Sequence, residues 1–179
     1  MESRAKIFGH PAHQILIVLP LGLLSTSVVF DGLRLATGDG KWSDASYRML
    51  GAGIASAMAA APFGVVDWVA IPKGTRAKRV GMLHGLGNLA VAGLFGASFL
   101  LRRSDPRKNV ILPSILSAMG GALAGVTAWL GGELVNTHGI GVHADAGFNA
   151  TSSLKRGPRF DLHIPRPGEA AGEPEPATC

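Results

Sequence analysis

"GMLHGLGNLAVAGLFGASFLL", residues 81–101, contains no Asp, Glu, Lys or Arg. About 20 predominantly apolar residues suffice to cross roughly 30 Å of hydrocarbon. A helix in a soluble bundle would carry charges on one face every few residues, and this one carries none. Residues 109–132 read the same way. Residues 15–30 and 49–66 are likewise free of charge and reach spanning length with the flanking Leu33, Leu35, Trp68 and Ile71. The sequence therefore predicts an all-α integral membrane protein.

Outward from these runs, the intervening segments are short. Residues 37–46 (TGDGKWSDAS), 72–79 (PKGTRAKR) and 102–108 (RRSDPRK) join consecutive spans. Such connections force antiparallel neighbours, so the expected architecture is an up-down-up-down four-helix bundle within residues 1–143. Its spans fall at 14–36, 48–71, 81–101 and 109–135. From residue 144 to 179 glycine, proline and charge dominate, and a segment ending PRPGEAAGEPEPATC cannot bury a core. A disordered polar tail is expected there.

The net charge of +5 does not indicate nucleic-acid binding. Lys and Arg sit in loops and tail, where headgroups favour them, and not interleaved with aromatics on one face. The lipid bilayer is the expected partner. Ten of these cations lie on the N-terminal face, side A, and seven on the opposite face, side B. That imbalance leans towards a cytoplasmic side A, with both termini on it. The single cysteine, Cys179, supports neither an intramolecular disulfide nor, alone, a metal site. A cleaved signal peptide is a poor reading of the first span, because no small-x-small site follows it.

Small residues recur at four-residue spacing, as in Gly51/Ala55/Ala59, Gly53/Ala57/Ala61, Gly81/Gly85 and Gly121/Gly125. In lipid, close backbone approach drives helix association, so these positions predict tight packing and leave homo-oligomerisation open. Pro20 and Pro62 are expected to kink their helices. Trp68 and Trp129 near one face, with Trp42 and Tyr47 near the other, fit interfacial belts.

Threading four antiparallel spans brings His10, His13, Asp67, His84, Glu133, His138 and His143 to side A. The acidic group near a helix on side B is Asp31, expected to pair locally with Arg34. Ionisable groups inside a span cost at least about 2.5–3.5 kcal/mol and usually face a partner, a cavity or a ligand. Imidazoles suit iron, copper and zinc, and added carboxylates suit non-haem iron, zinc or manganese. Candidate metal ligands are therefore His10, His13, Asp67, His84, Glu133 and His138. A haem would instead use His13 and His84, with Arg76 and Arg79 near its propionates. The structural alternatives are plain. His10 reads as a helix cap ahead of Pro11, Asp67 and Glu133 as anchors for Lys73, Arg76 or Arg79, and the loop histidines His138 and His143 as solvated. His84 resists such a reading, because it lies a turn inside an uncharged span. No nucleophile elbow, phosphate loop, Cys-x-x-Cys or His-Glu-x-x-His motif is present.

Three stretches, GHPAHQILIVLPLGLL, GVVDWVAIP…TRAKRVGMLHGLGN and WLGGELVNTHGIGV, together resemble the DUF2231 family over roughly residues 9–142. The resemblance implies a small bacterial four-span protein of the inner membrane. It also implies that His10, His13, Asp67, His84, Glu133 and His138 match the family's polar motif positions. Some relatives are joined to Rieske-type or cytochrome c modules, which implies electron transfer. The tail here lacks ligands for an iron–sulfur cluster or covalent haem, so a separate redox partner would exchange the electrons. The leading expectation is a redox-linked protein binding haem b or a transition metal (Fe, Zn or Cu) at side A. The alternatives are an accessory subunit of a larger membrane complex and, last, proton or ion transport.

Overall fold

The computed structural model describes residues 1–155 and 160–163. Four helical spans fill it. The first is α1 (Ala12–Leu16) followed by α2 (Val18–Thr37), and the others are α3 (Lys41–Ala70), α4 (Arg76–Leu101) and α5 (Ile111–Asn136). All four are long and apolar enough to cross a membrane. The predicted bundle is the observed one. Most of the tail expectation, Cys179 included, falls outside the described residues.

Helix ends differ from the sequence reading in ways that local chemistry explains. α3 begins at Lys41, so the turn-rich segment expected over 37–46 shrinks to three residues. Gly38 adopts φ +74 and closes α2, while the Asp39 carboxylate accepts the Lys41 N–H at 3.0 Å. The first span breaks at Ile17. Pro20 has no N–H to donate to Leu16, four residues back, so the ladder cannot run through unbroken. Pro62 lies inside α3, which is continuous across it. Thr75 caps α4, its hydroxyl accepting the Lys78 N–H at 3.1 Å.

The bundle is two hairpins. α2 packs extensively on α3 and α4 on α5, and the two pairs touch each other far less. A buried apolar layer of Leu24, Leu50, Val91 and Phe95 joins them at mid-depth. Glycines admit the large side chains: a Cβ at Gly53 would lie 2.7 Å from Leu24 Cδ2, and one at Gly120 3.0 Å from Phe95 Cε2. The expected tight packing holds at Gly51, Gly53, Gly81 and Gly121, but a Cβ at Gly85 or Gly125 would meet nothing within 4 Å among the described residues.

Side A carries an element that hydrophobic periodicity did not predict. β1 (Ala5–Ile7) lies between β2 (His10–Pro11) and β3 (Phe160–Leu162), antiparallel to both. Phe8 and Gly9 turn the first hairpin with φ of 49 and 78, as a two-residue loop requires. The described tail residues thus return to the N-terminal segment. His10 belongs to this sheet, which corrects its reading as a helix cap. Pro11 is the residue preceding the helix and makes no side-chain cap, while His10 Nε2 lies 2.8 Å from Ser153 Oγ.

Candidate functional site

His13 and His84 share one local design. His13 Nδ1 lies 3.1 Å from the Ala60 carbonyl of α3, and its ring rests where a Cβ on Gly64 would come within 2.8 Å. His84 Nδ1 lies 2.8 Å from the Thr127 carbonyl of α5, and a Cβ on Gly131 would come within 3.1 Å of its ring. In each hairpin, then, an imidazole on the first helix reaches a carbonyl on the second, with a glycine one turn further on. A ring nitrogen facing a carbonyl must carry the proton, so Nδ1–H donates and the Nε2 lone pair is left to accept. At His84 that lone pair receives the Asn88 amide at 3.0 Å.

Gly81, His84, Asn88, Val91, Phe95 and Ser98 follow one another at three- and four-residue steps, so they form one stripe of α4. Gly81, Val91, Phe95 and Ser98 are buried and His84 half-buried, yet Asn88 is exposed. The inward stripe therefore opens at Asn88, one turn from His84.

The two carboxylates are engaged locally. Asp67 oxygens lie 2.8 and 2.9 Å from the Ser3 hydroxyl, and the Arg4 N–H donates to one of them at 2.7 Å. Asp67 thus anchors the N-terminal segment, a contact between positions 63 and 64 residues apart that no sequence window reveals. Glu133 accepts from Arg76 at 3.4 Å and from Thr137 at 2.9 Å, which is the anchoring alternative. Arg79 is exposed one turn further along α4. His138 Nε2 and His143 Nε2 are buried with no hydrogen-bond partner among the described residues. Among the described residues, the set that gathers three ligand atoms within 4.8 Å is Glu2, His143 and Asp145. It shares no residue with the six predicted ligands.

The other polar cluster lies on side B and was missed. Asp31 accepts from Arg102 through both oxygens, at 2.5 and 2.7 Å. The pair is almost wholly buried, with side-chain exposures of 4% and 1%. Ser46 of α3 also accepts from Arg102 at 3.1 Å. Ser98 of α4 and Ser117 of α5 lie 2.8 Å apart beside it. This corrects the expected Asp31–Arg34 pair. Leu24, Ser27 and Asp31 share the buried stripe of α2, whereas Arg34 turns to the Gly38 carbonyl at the helix end. A charge-free window ending at Leu101 hides Arg102, and its alignment with Asp31 becomes visible only when the two hairpins are packed.

Of the predicted residues, His13 and His84 sit in the half of the bundle nearer side A. Asp67, Glu133 and Arg76 ring the same end, and His10 lies out in the sheet. A family model described as "Predicted membrane protein (DUF2231)" matches residues 9–144, and the chain belongs to that family. No curated protein and no solved structure matches the chain.

Proposed function

We propose that this DUF2231 protein is a redox-linked protein of the cytoplasmic membrane in which His13 and His84 hold a haem b between the two hairpins near side A. The observation that carries the reading is the matched pair of imidazoles, each with Nδ1 tied to a backbone carbonyl. That tie fixes the tautomer and presents Nε2, which is how ligating histidines are oriented. The opening of the α4 stripe at Asn88 supports it further. The carboxylates favour haem over a bare ion, because Asp67 and Glu133 already have other partners. Arg76 and Arg79, at the start of α4, are the cations that would meet the propionates. Asn88 has to release His84 Nε2 before that nitrogen can ligate. Haem, when bound, would supply one-electron chemistry, and His13 and His84 would hold it through Nε2.

The test is the absorption spectrum of detergent-purified protein expressed with haem supplied. A Soret band at one haem per chain is expected, lost in His84→Ala and in His13→Ala. Protein without a Soret band, or with one that survives both substitutions, refutes the reading.

A second reading, an accessory subunit of a larger complex, has its own supporting observation. A Cβ added at Gly22 or Gly32 of α2, at Gly85, Gly93 or Gly96 of α4, or at Gly125 of α5 would meet nothing within 4 Å outside its own helix backbone, among the described residues. Such surfaces suit close approach by another helix. It predicts cofactor-free protein recovered with a partner. Transport is the least supported, because the apolar layer of Leu24, Leu50, Val91 and Phe95 separates the polar ends.

A further inference from the structure

Glu2, His143 and Asp145 lie outside the spans, and their ligand atoms approach within 4.8 Å of one another. We propose that these three side chains form a site for a divalent transition-metal ion, tying the N-terminal segment to the chain that leaves α5. The site is separate from the histidine pair proposed for haem and does not depend on it.

Two observations support it. The cluster is not a run of neighbours in sequence: Glu2 meets residues 141 and 142 positions away, through His143 Nδ1 and the Ala144 N–H, both 3.3 Å from its Oε1. The fold has therefore already met the entropic cost of bringing these ligands together. His143 turns Nδ1 to the Glu2 carboxylate at 3.3 Å, a separation that two ligands of one ion can share, while its Nε2 has no hydrogen-bond partner among the described residues.

One imidazole with two carboxylates suits zinc, ferrous iron or manganese, and water would complete the shell. It does not suit cuprous copper, which prefers sulfur ligands. Lys6 competes for the same carboxylate, since its ammonium is paired with Glu2 Oε2. That competition provides a diagnostic. Removing the ammonium should strengthen metal binding, whereas a merely structural salt bridge would be weakened with no gain in metal affinity.

The experiment uses the untagged full chain in detergent, stripped with a chelator. Zinc is titrated by calorimetry, and manganese by loss of the free-ion electron paramagnetic resonance signal. Binding of one equivalent is expected. Glu2→Gln and His143→Ala should weaken it by about tenfold or more. Lys6→Met should tighten it, and His13→Ala with His84→Ala should leave it unchanged. Neither Glu2 nor His143 is in the apolar core, so melting curves should show both variants folded. The proposal is overturned if neither ion binds in a saturable way, or if binding persists undiminished in Glu2→Gln and His143→Ala. A melting curve showing either variant unfolded moves its test to Asp145→Asn, where undiminished binding again overturns the proposal.

Discussion

Removing one partner of the Asp31–Arg102 pair should be among the most damaging substitutions in this chain, and removing both should restore most of the loss. Both carboxylate oxygens contact the guanidinium at 2.5 and 2.7 Å, at exposures of 4% and 1%. Water cannot re-solvate a partner left behind. Breaking such a pair typically costs about 3–5 kcal/mol, whereas replacing both members by apolar residues of similar size is often neutral or stabilising by about 1–4 kcal/mol. Asp31→Leu should cost more than Arg102→Met, because a lone carboxyl can take up a proton while a guanidinium cannot lose one. The serine hydroxyls of Ser46 and Ser117 reach Arg102 at 3.1 and 3.5 Å and cannot neutralise its charge. For a chain of this size each kcal/mol moves the melting temperature by about 2–4 °C, so the single variants should melt roughly 6–20 °C lower. Thermal unfolding in one detergent, followed by tryptophan fluorescence, gives all four corners of the double-mutant cycle. The reasoning fails if the single variants melt within about 2 °C of the native chain. It fails equally if Asp31→Leu/Arg102→Met melts as low as the worse single variant.

Gly64→Ala should destabilise more than Gly131→Ala, since the added Cβ would meet the His13 ring at 2.8 Å but the His84 ring at 3.1 Å. Costs of about 1–3 kcal/mol and less, respectively, are expected from overpacking, and the reverse order in melting temperature would sink the assignment. Phe95→Ala empties a fully buried site in the apolar layer. Lipid removes most of the hydrophobic transfer contribution, leaving a cavity cost of about 2 kcal/mol at roughly 24 cal/mol per Å3; Phe95→Leu should recover most of it. Glu2 has its pKa lowered from 4.5 to about 2, so its contribution to stability is complete above pH 4.5 and is lost as pH falls through 2. Because its side chain is 39% exposed, the contribution is screened to about 1 kcal/mol or less. The melting difference between metal-free native protein and Glu2→Gln should shrink across that window, and a difference independent of pH would contradict the pairing.

The membrane fold was legible because its signal is local. Charge-free runs of spanning length leave the backbone no option but to satisfy itself within helices. The polar groups were harder to read. Threading the spans correctly sent His13, His84, Asp67 and Glu133 to one end, because length and topology alone set depth. It did not say which of them meet. Ser3 and Arg4 claim Asp67 from a segment with no apolar periodicity, and Arg76 claims Glu133 across two helices.

By itself, then, the sequence determined the number of spans, their antiparallel order and the end of the bundle at which each ionisable residue lies. All of these follow from hydropathy and chain length. Tertiary structure decided the pairings: His13 with the Ala60 carbonyl, His84 with that of Thr127, and Asp31 with Arg102 and not its neighbour Arg34. Those choices depend on helix rotation and on how two hairpins dock, over separations of 43 to 71 residues. No local pattern encodes that rotation. It is set by which glycines admit a ring or a leucine and by which faces must bury their charge together.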